Sequence, residues 1–182
     1  MTERDRLAAL LLLLLLASGC ATTVRSQVLD ADTQRPVAEA IVLGVWTRCA
    51  GLIFCRHQFV GARETVTDEA GRFSLERLPS SGLYGEAGGQ AITIYKHGYA
   101  PWSNLFVFPS GKLREDRGIF FEDRGVPRPI LLEKFPAQQS YDDLSYFISN
   151  STISRLGQQT SPRLWDTMEQ VRKNPQLRLK RE

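Results

Sequence analysis

The chain reads as a mainly β protein, a seven-stranded β-sandwich with a short C-terminal α-helical appendage. Three observations predict it. Short runs of branched and aromatic residues recur from Val24 to Leu132, bounded by Gly, Pro, Asp or Ser, the punctuation of strands and turns. Arg72-Phe73-Ser74-Leu75-Glu76 alternates cleanly after the tight-turn signal Asp68-Glu69-Ala70-Gly71. After Pro136 the apolar spacing becomes helical.

Taken in order, Val24 to Leu29 forms the first strand and runs into Asp30-Ala31-Asp32-Thr33-Gln34-Arg35-Pro36, an Asp-rich turn closed by proline. Ala40 to Trp46, with Ile41, Val42 and Val45, fits a buried strand. A loop with two cysteines follows, and Gln58 to Val66 alternates weakly. Arg72 to Glu76 is the fourth strand, and Leu78-Pro79-Ser80-Ser81-Gly82 is loop. Ala91 to Tyr95 is the fifth, ended by Gly98; Leu105 to Phe108 and Pro129 to Leu132 supply the last two. Gly111 to Pro127, charged and glycine-bearing, reads as a long exposed loop or hairpin. Seven short strands at this spacing fit two stacked sheets.

Two helices follow. Ser140-Tyr141-Asp142-Asp143 opens the first, with Leu144, Phe147 and Ile148 at helical spacing and two aspartates at the end that favours negative charge. In the second, Ser161 is the expected cap and Pro162 takes the first helical position. Leu164, Trp165, Met168 and Val171 form one face, and Asn174-Pro175 ends it. Such stripes are expected to dock onto the protein's own domain.

At the other end, Arg4 and Arg6 precede an apolar run from Leu7 to Ala17 of about 11 residues, well short of the roughly 20 a membrane-crossing helix needs. Small residues and then Cys20 follow, in the order of a secretory signal peptide. Leu16-Ala17-Ser18-Gly19-Cys20 resembles the lipobox of bacterial lipoproteins, with Ala17 where leucine is commoner. The resemblance implies cleavage before Cys20, acylation of its sulfur, and a periplasm-facing address in the bacterial cell envelope; Ala21 in place of aspartate points to the outer membrane. The expected organisation is a leader over 1–19, a sandwich over 20–135 and a helical extension over 136–182.

The formal net charge of +3 is mild and gives no clustered basic face, so no nucleic-acid partner is expected. Basic residues near the C-terminus (Arg172, Lys173, Arg178, Lys180, Arg181) read as a solvated tail. With Cys20 acylated, Cys49 and Cys55 remain in a chain bound for an oxidising compartment, and a structural disulfide is the expected pairing. Closing a loop of roughly seven residues is worth about 2.4 kcal/mol. Buried thiols and a redox pair are the alternatives, although the C-x-x-C spacing of redox pairs is absent.

Thr67-Asp68-Glu69-Ala70-Gly71-Arg72-Phe73-Ser74-Leu75, followed by Leu78-Pro79, resembles the carboxypeptidase regulatory-like domain, a small transthyretin-like sandwich. Pro36-Val37-Ala38-Glu39-Ala40-Ile41-Val42, Gly98-Tyr99 and Leu131-Leu132 fall where that family carries its other marks, over roughly 23–134. Ala38 and Glu39 stand where the family usually has a glycine. Asp68 is expected to bond amides across its turn, Gly71 to supply positive φ, and Phe73 and Leu75 to enter the core. The resemblance carries no peptidase chemistry, because the zinc site of true carboxypeptidases lies in a separate domain.

Candidate chemistry is sparse. His57 is followed by Gln58-Phe59-Val60 and His97 by Gly98-Tyr99-Ala100, which fit no zinc-peptidase pattern. No G-x-S-x-G elbow occurs, and the glycine-rich Gly82 to Gly89 lacks a phosphate loop's lysine. The reading is of a non-catalytic binding or scaffolding module without metal or cofactor, whose partners are the membrane, through the N-terminal lipid, and an envelope protein or glycan; the alternatives are an assembly component docking through its C-terminal helices and a periplasmic enzyme. Tyr95, Tyr99, Trp102, Phe106 and Phe108 crowd one region; Phe106 and Phe108 are expected to pack inward. Tyr99 and Trp102, beside Gly98 and Pro101, are expected to be exposed as an aromatic binding patch.

Overall fold

The computed structural model describes residues 23–50, 56–76, 78, 90–113, 128–149 and 160–174. The leader at 1–19, Cys20, Cys55, most of the 111–127 insert and the basic residues beyond Asn174 lie outside them. Among the described residues the architecture is mainly β, with several sheets and two helices.

β1 (Thr23–Asp30) alternates as its sequence requires: Val24, Ser26, Val28 and Asp30 are buried and the residues between them are more exposed. It lies in the middle of a three-stranded sheet. β4 (Arg72–Glu76) runs antiparallel on one side, with Val24 opposite Leu75 and Ser26 opposite Phe73. β9 (Ile130–Leu132) runs parallel on the other, with Val28 opposite Ile130 and Asp30 opposite Leu132. Phe73, Leu75, Ile130 and Leu132 face inward, and Leu131 faces out.

The second sheet has the order β3-β2-β5-β6. β2 (Ile41–Ala50) pairs antiparallel with β3 (Arg56–Val66) and with β5 (Gln90–Tyr95), which in turn pairs with β6 (Trp102–Ser103). Its faces bury different sets. Val42, Trp46, Ile92, Ile94 and Trp102 join Val24, Val28, Phe73, Leu75, Ile130 and Leu132 in a core between the two sheets. Ile41, Leu43, Val45, Ala91 and Tyr95 meet the helices on the opposite side. β2 and β5 therefore read as continuous apolar runs, because a strand covered on both faces has no polar side to alternate with.

α1 (Tyr141–Ile148) begins with a capping box, in which Ser140 N–H donates to Asp143 Oδ2 (2.7 Å) and Asp143 N–H to Ser140 Oγ (3.3 Å). Leu144, Phe147 and Ile148 are buried, as are Leu164, Met168 and Val171 of α2 (Pro162–Lys173). Burying a leucine such as Leu144 or Leu164 contributes about 1.5–3 kcal/mol. The helices thus dock on their own sheet.

Four expectations need correction. Ser161 is buried and its hydroxyl makes no capping bond; Glu64 of β3 caps α2 instead, accepting from Arg163 N–H (3.0 Å) and Leu164 N–H (2.9 Å). Trp165 is 41% exposed and outside the apolar face, since it lies one residue round from Leu164. Leu105 to Phe108 is not one sheet strand. Asn104 closes the ladder by accepting Ile92 N–H on its side chain (2.7 Å) and donating its own N–H to Ile92 O (3.1 Å). The chain then leaves to form β7 (Phe106–Val107) with β8 (Lys112–Leu113). Finally, β2 does not end at Trp46. It pairs on through Cys49 opposite His57 to Ala50 opposite Arg56, where a loop had been expected. The expected partner of Cys49, Cys55, lies outside the described residues.

Candidate functional site

The corner formed by the turn after β5, the end of β1 and the segment after β9 brings together Tyr99, Asp30 and Lys134. Gly98 makes the turn, at φ 84° with open space where a Cβ would stand; conformation, not room, selects glycine there. Phe135 N–H donates to Gly98 O (3.0 Å) and Ala100 N–H to Glu133 O (2.9 Å), so Tyr99 lies opposite Lys134.

Asp30 terminates β1 and is 4% exposed. Its Oδ1 accepts from Asp32 N–H (3.0 Å) and Thr33 N–H (2.9 Å), an Asx turn that starts the loop to β2. Its Oδ2 accepts from the Tyr99 hydroxyl (2.8 Å) and from Lys134 Nζ (2.7 Å). Lys134 Nζ also donates to the Tyr99 oxygen (2.7 Å) and stands 4.0 Å from the centre of its ring. The Lys134 ammonium, the Thr33 amide and the Tyr99 hydroxyl hold the Asp30 carboxyl far below the usual carboxylate range. Asp30, and after it Tyr99, raises the Lys134 ammonium in turn. Four donors saturate the carboxylate, so the cluster fastens a loop to two strands, with the Lys134 ammonium on its exposed side.

The residues singled out in the sequence fall into separate places. Asp68 Oδ1 accepts from Arg72 N–H (2.8 Å) across its turn, and Gly71 has φ 70°. A Cβ at Gly71 would collide with the Val28 carbonyl oxygen. Phe73 is in the core between the sheets. Tyr99 is half-buried in the Asp30 cluster. Trp102 is a correction: it is 7% exposed and belongs to the same core, because it pairs with Ile94 as the edge strand of the second sheet. The expected aromatic platform is not assembled. Phe108 packs instead against Phe135 and edge-on to Phe147, with ring centres 5.5 and 5.3 Å apart. Glu39, one of the two residues standing in for a glycine in the resembled family, takes φ 54°, a conformation favouring glycine.

Sequence reasoning missed Lys134, Glu64 and Asn104. Lys134 meets Tyr99 across 35 positions and Glu64 meets Leu164 across 100, so neither pairing leaves a local signal. Tyr95 is a further buried polar group: its hydroxyl, under the helices, has no partner among the described residues, and burial, with Tyr141 nearby, pushes its pKa up to about 12. Among the described residues no three His, Cys, Asp or Glu side chains gather as a metal site, and no helix is long and apolar enough to cross a membrane.

No family model matches this chain, and no curated protein does. Among solved structures, a 9R-lipoxygenase from Cyanothece is similar over 44% of this chain and 12% of its own length, at 24% identity and a TM-score of 0.29. A likeness at that level carries no argument about fold or activity.

Proposed function

We propose that this chain is a lipid-anchored, non-catalytic binding or scaffolding module of the bacterial cell envelope, built on a transthyretin-like sandwich of the carboxypeptidase regulatory-like kind. One observation carries the reading: β1, the first strand among the described residues, starts at Thr23, three positions after the Cys20 that ends the lipobox-like run. That spacing suits a compact domain held close to a membrane by acyl chains, each buried methylene contributing about 0.8 kcal/mol. The turn residues of the resembled family support it further. Asp68 and Gly71 close the turn that carries the chain from β3 to β4, in the other sheet, and Gly98 takes its left-handed turn. The saturated Asp30–Tyr99–Lys134 cluster has the character of a structural tie.

A second reading, a component of a larger envelope assembly, is favoured by Tyr146 and Trp165, which stand 70% and 41% exposed on α1 and α2. The buried stripes of those helices are already spent on their own sheet.

The test is the full chain produced in a bacterium. Intact mass is expected to show an acylated Cys20 as the first residue, and Cys20→Ser to move the protein from the membrane fraction to the soluble one. A mature protein with an unmodified cysteine, or a variant that stays with the membrane, overturns the anchor. Affinity purification with mass spectrometry then separates a glycan-binding module from an assembly component.

A further inference from the structure

The three-stranded sheet and the helices lie on opposite faces of the sheet β3-β2-β5-β6. β9 gives Ile130 and Leu132 to the core on one face; α1 gives Leu144, Phe147 and Ile148 to the core on the other. The chain between them, Glu133 to Ser140, therefore passes round the end of that sheet. It does so against the turn that follows β5. Ala100 N–H donates to Glu133 O (2.9 Å) and Phe135 N–H to Gly98 O (3.0 Å), which sets Lys134 opposite Tyr99 in a short antiparallel bridge. Gln139 N–H then donates to Pro136 O (3.0 Å), and Ser140 caps α1.

Two consecutive side chains of this strap serve different places, as neighbours on an extended segment point to opposite sides. Lys134 Nζ lies 2.7 Å from Asp30 Oδ2 and 2.7 Å from the Tyr99 oxygen. Phe135 packs into the core beneath the helices. Its ring centre is 5.5 Å from that of Phe108, and the Phe108 ring meets Phe147 of α1 edge-on at 5.3 Å. Aromatic pairs in such arrangements attract beyond the area they bury. An unbroken run of contacts thus leads from Asp30 and Tyr99 through Lys134, Phe135 and Phe108 to Phe147. The backbone bonds at Glu133 and Phe135 fix both strap side chains to the same short ladder.

We propose that Glu133 to Ser140 is a latch strap, through which the ion pair at the corner and the docking of α1 are energetically coupled. While Lys134 is held on Asp30, Phe135 stays seated and α1 is kept against β2 and β5. When the corner opens, the strap loses its register on the Gly98 turn and α1 loosens. The half-exposed ammonium of Lys134 controls a helix that packs on the far face of the neighbouring sheet.

A double-mutant cycle on urea unfolding tests this, with the full chain purified as a bacterium produces it. Lys134→Met breaks the corner and Phe147→Leu the ring contact in α1; both keep an apolar side chain at the site. Should Phe147→Leu not fold, Phe108→Leu interrupts the same run of rings. Independent sites multiply their effects on the unfolding equilibrium constant, and coupled ones do not. The double variant is expected to fall short of the product of the single changes by about threefold or more. Glu64→Ala, which uncaps α2 from β3, is the control, and with Lys134→Met its effect is expected to multiply simply. A Lys134–Phe147 product within about twofold of simple multiplication overturns the strap and leaves the corner a local tie. An equal shortfall in both cycles also overturns it, as a general loosening of the fold.

Discussion

The hydroxyl of Tyr99 donates to Asp30 across 2.8 Å, joining the turn after β5 to the end of β1 although the residues lie 69 positions apart. Lys134, from the segment after β9, closes the triangle on both of them. Three connections of the fold are thereby tied at one point, with an almost fully buried carboxylate as the knot.

Acid should loosen that knot only after ordinary surface carboxylates have taken up their protons. The Asp30 pKa is depressed, so its stabilisation is complete above the ordinary aspartate value of about 4 and is lost as pH falls through its lower folded value. Lys134 is raised and behaves oppositely: its share is complete below about 10.4 and is lost as pH climbs through the folded value. Asp30→Asn should lower Tm at pH 7 and flatten the acid limb of Tm against pH. An acid limb as steep as in the parent would show that another carboxylate governs it.

Gly71→Ala should destabilise the domain by about 2 kcal/mol or more. The left-handed backbone alone costs an L-residue about 1–2 kcal/mol, and at φ 70° the added methyl meets Val28 O. Urea denaturation of the variant measures the loss; a change within 0.5 kcal/mol would mean that the turn relaxes without strain, below the roughly 1 kcal/mol typical of point variants.

Trp102→Ala should cost about 3–5 kcal/mol, the loss expected for a large aromatic removed from a core. Trp102→Phe should retain most of the stability. Were Trp102→Ala to denature at the parent's urea concentration, the side chain would be serving a surface.

Glu64→Ala removes the acceptor for the first free amides of α2 and should cost about 1 kcal/mol, within the usual range for a lost cap. Glu64→Gln keeps an oxygen there and should lose less. Amide exchange at Arg163 and Leu164 is the direct measure: both should exchange faster in Glu64→Ala, and unchanged protection would exclude the cap.

Much of the fold was legible because its signals are local. Alternation in Arg72 to Glu76, the Asp68–Gly71 turn, the Ser140-x-x-Asp143 start of α1 and Pro162 at the head of α2 each act within a few residues. The two-residue strands Trp102–Ser103 and Lys112–Leu113 carry no periodicity to detect. Trp102 beside Pro101 has the local look of an exposed loop, and only its pairing with Ile94 buries it. The corner cluster was half legible. Asp30 was recognisable as a turn former and Tyr99 as notable, but their link through Lys134 exists only once β1 and β9 lie side by side. Glu64 was invisible for the same reason, as its value as a cap depends on where α2 lands.

That side-by-side placement of β1 and β9 also governs the order of assembly. β1, the first strand among the described residues, occupies the middle of its sheet; β4 can pair on one side early, but the other side has no partner until Ile130 to Leu132 has been made. Such distant partners make closure slow relative to local structure. A chain with this arrangement cannot complete that sheet until Leu132 has left the ribosome.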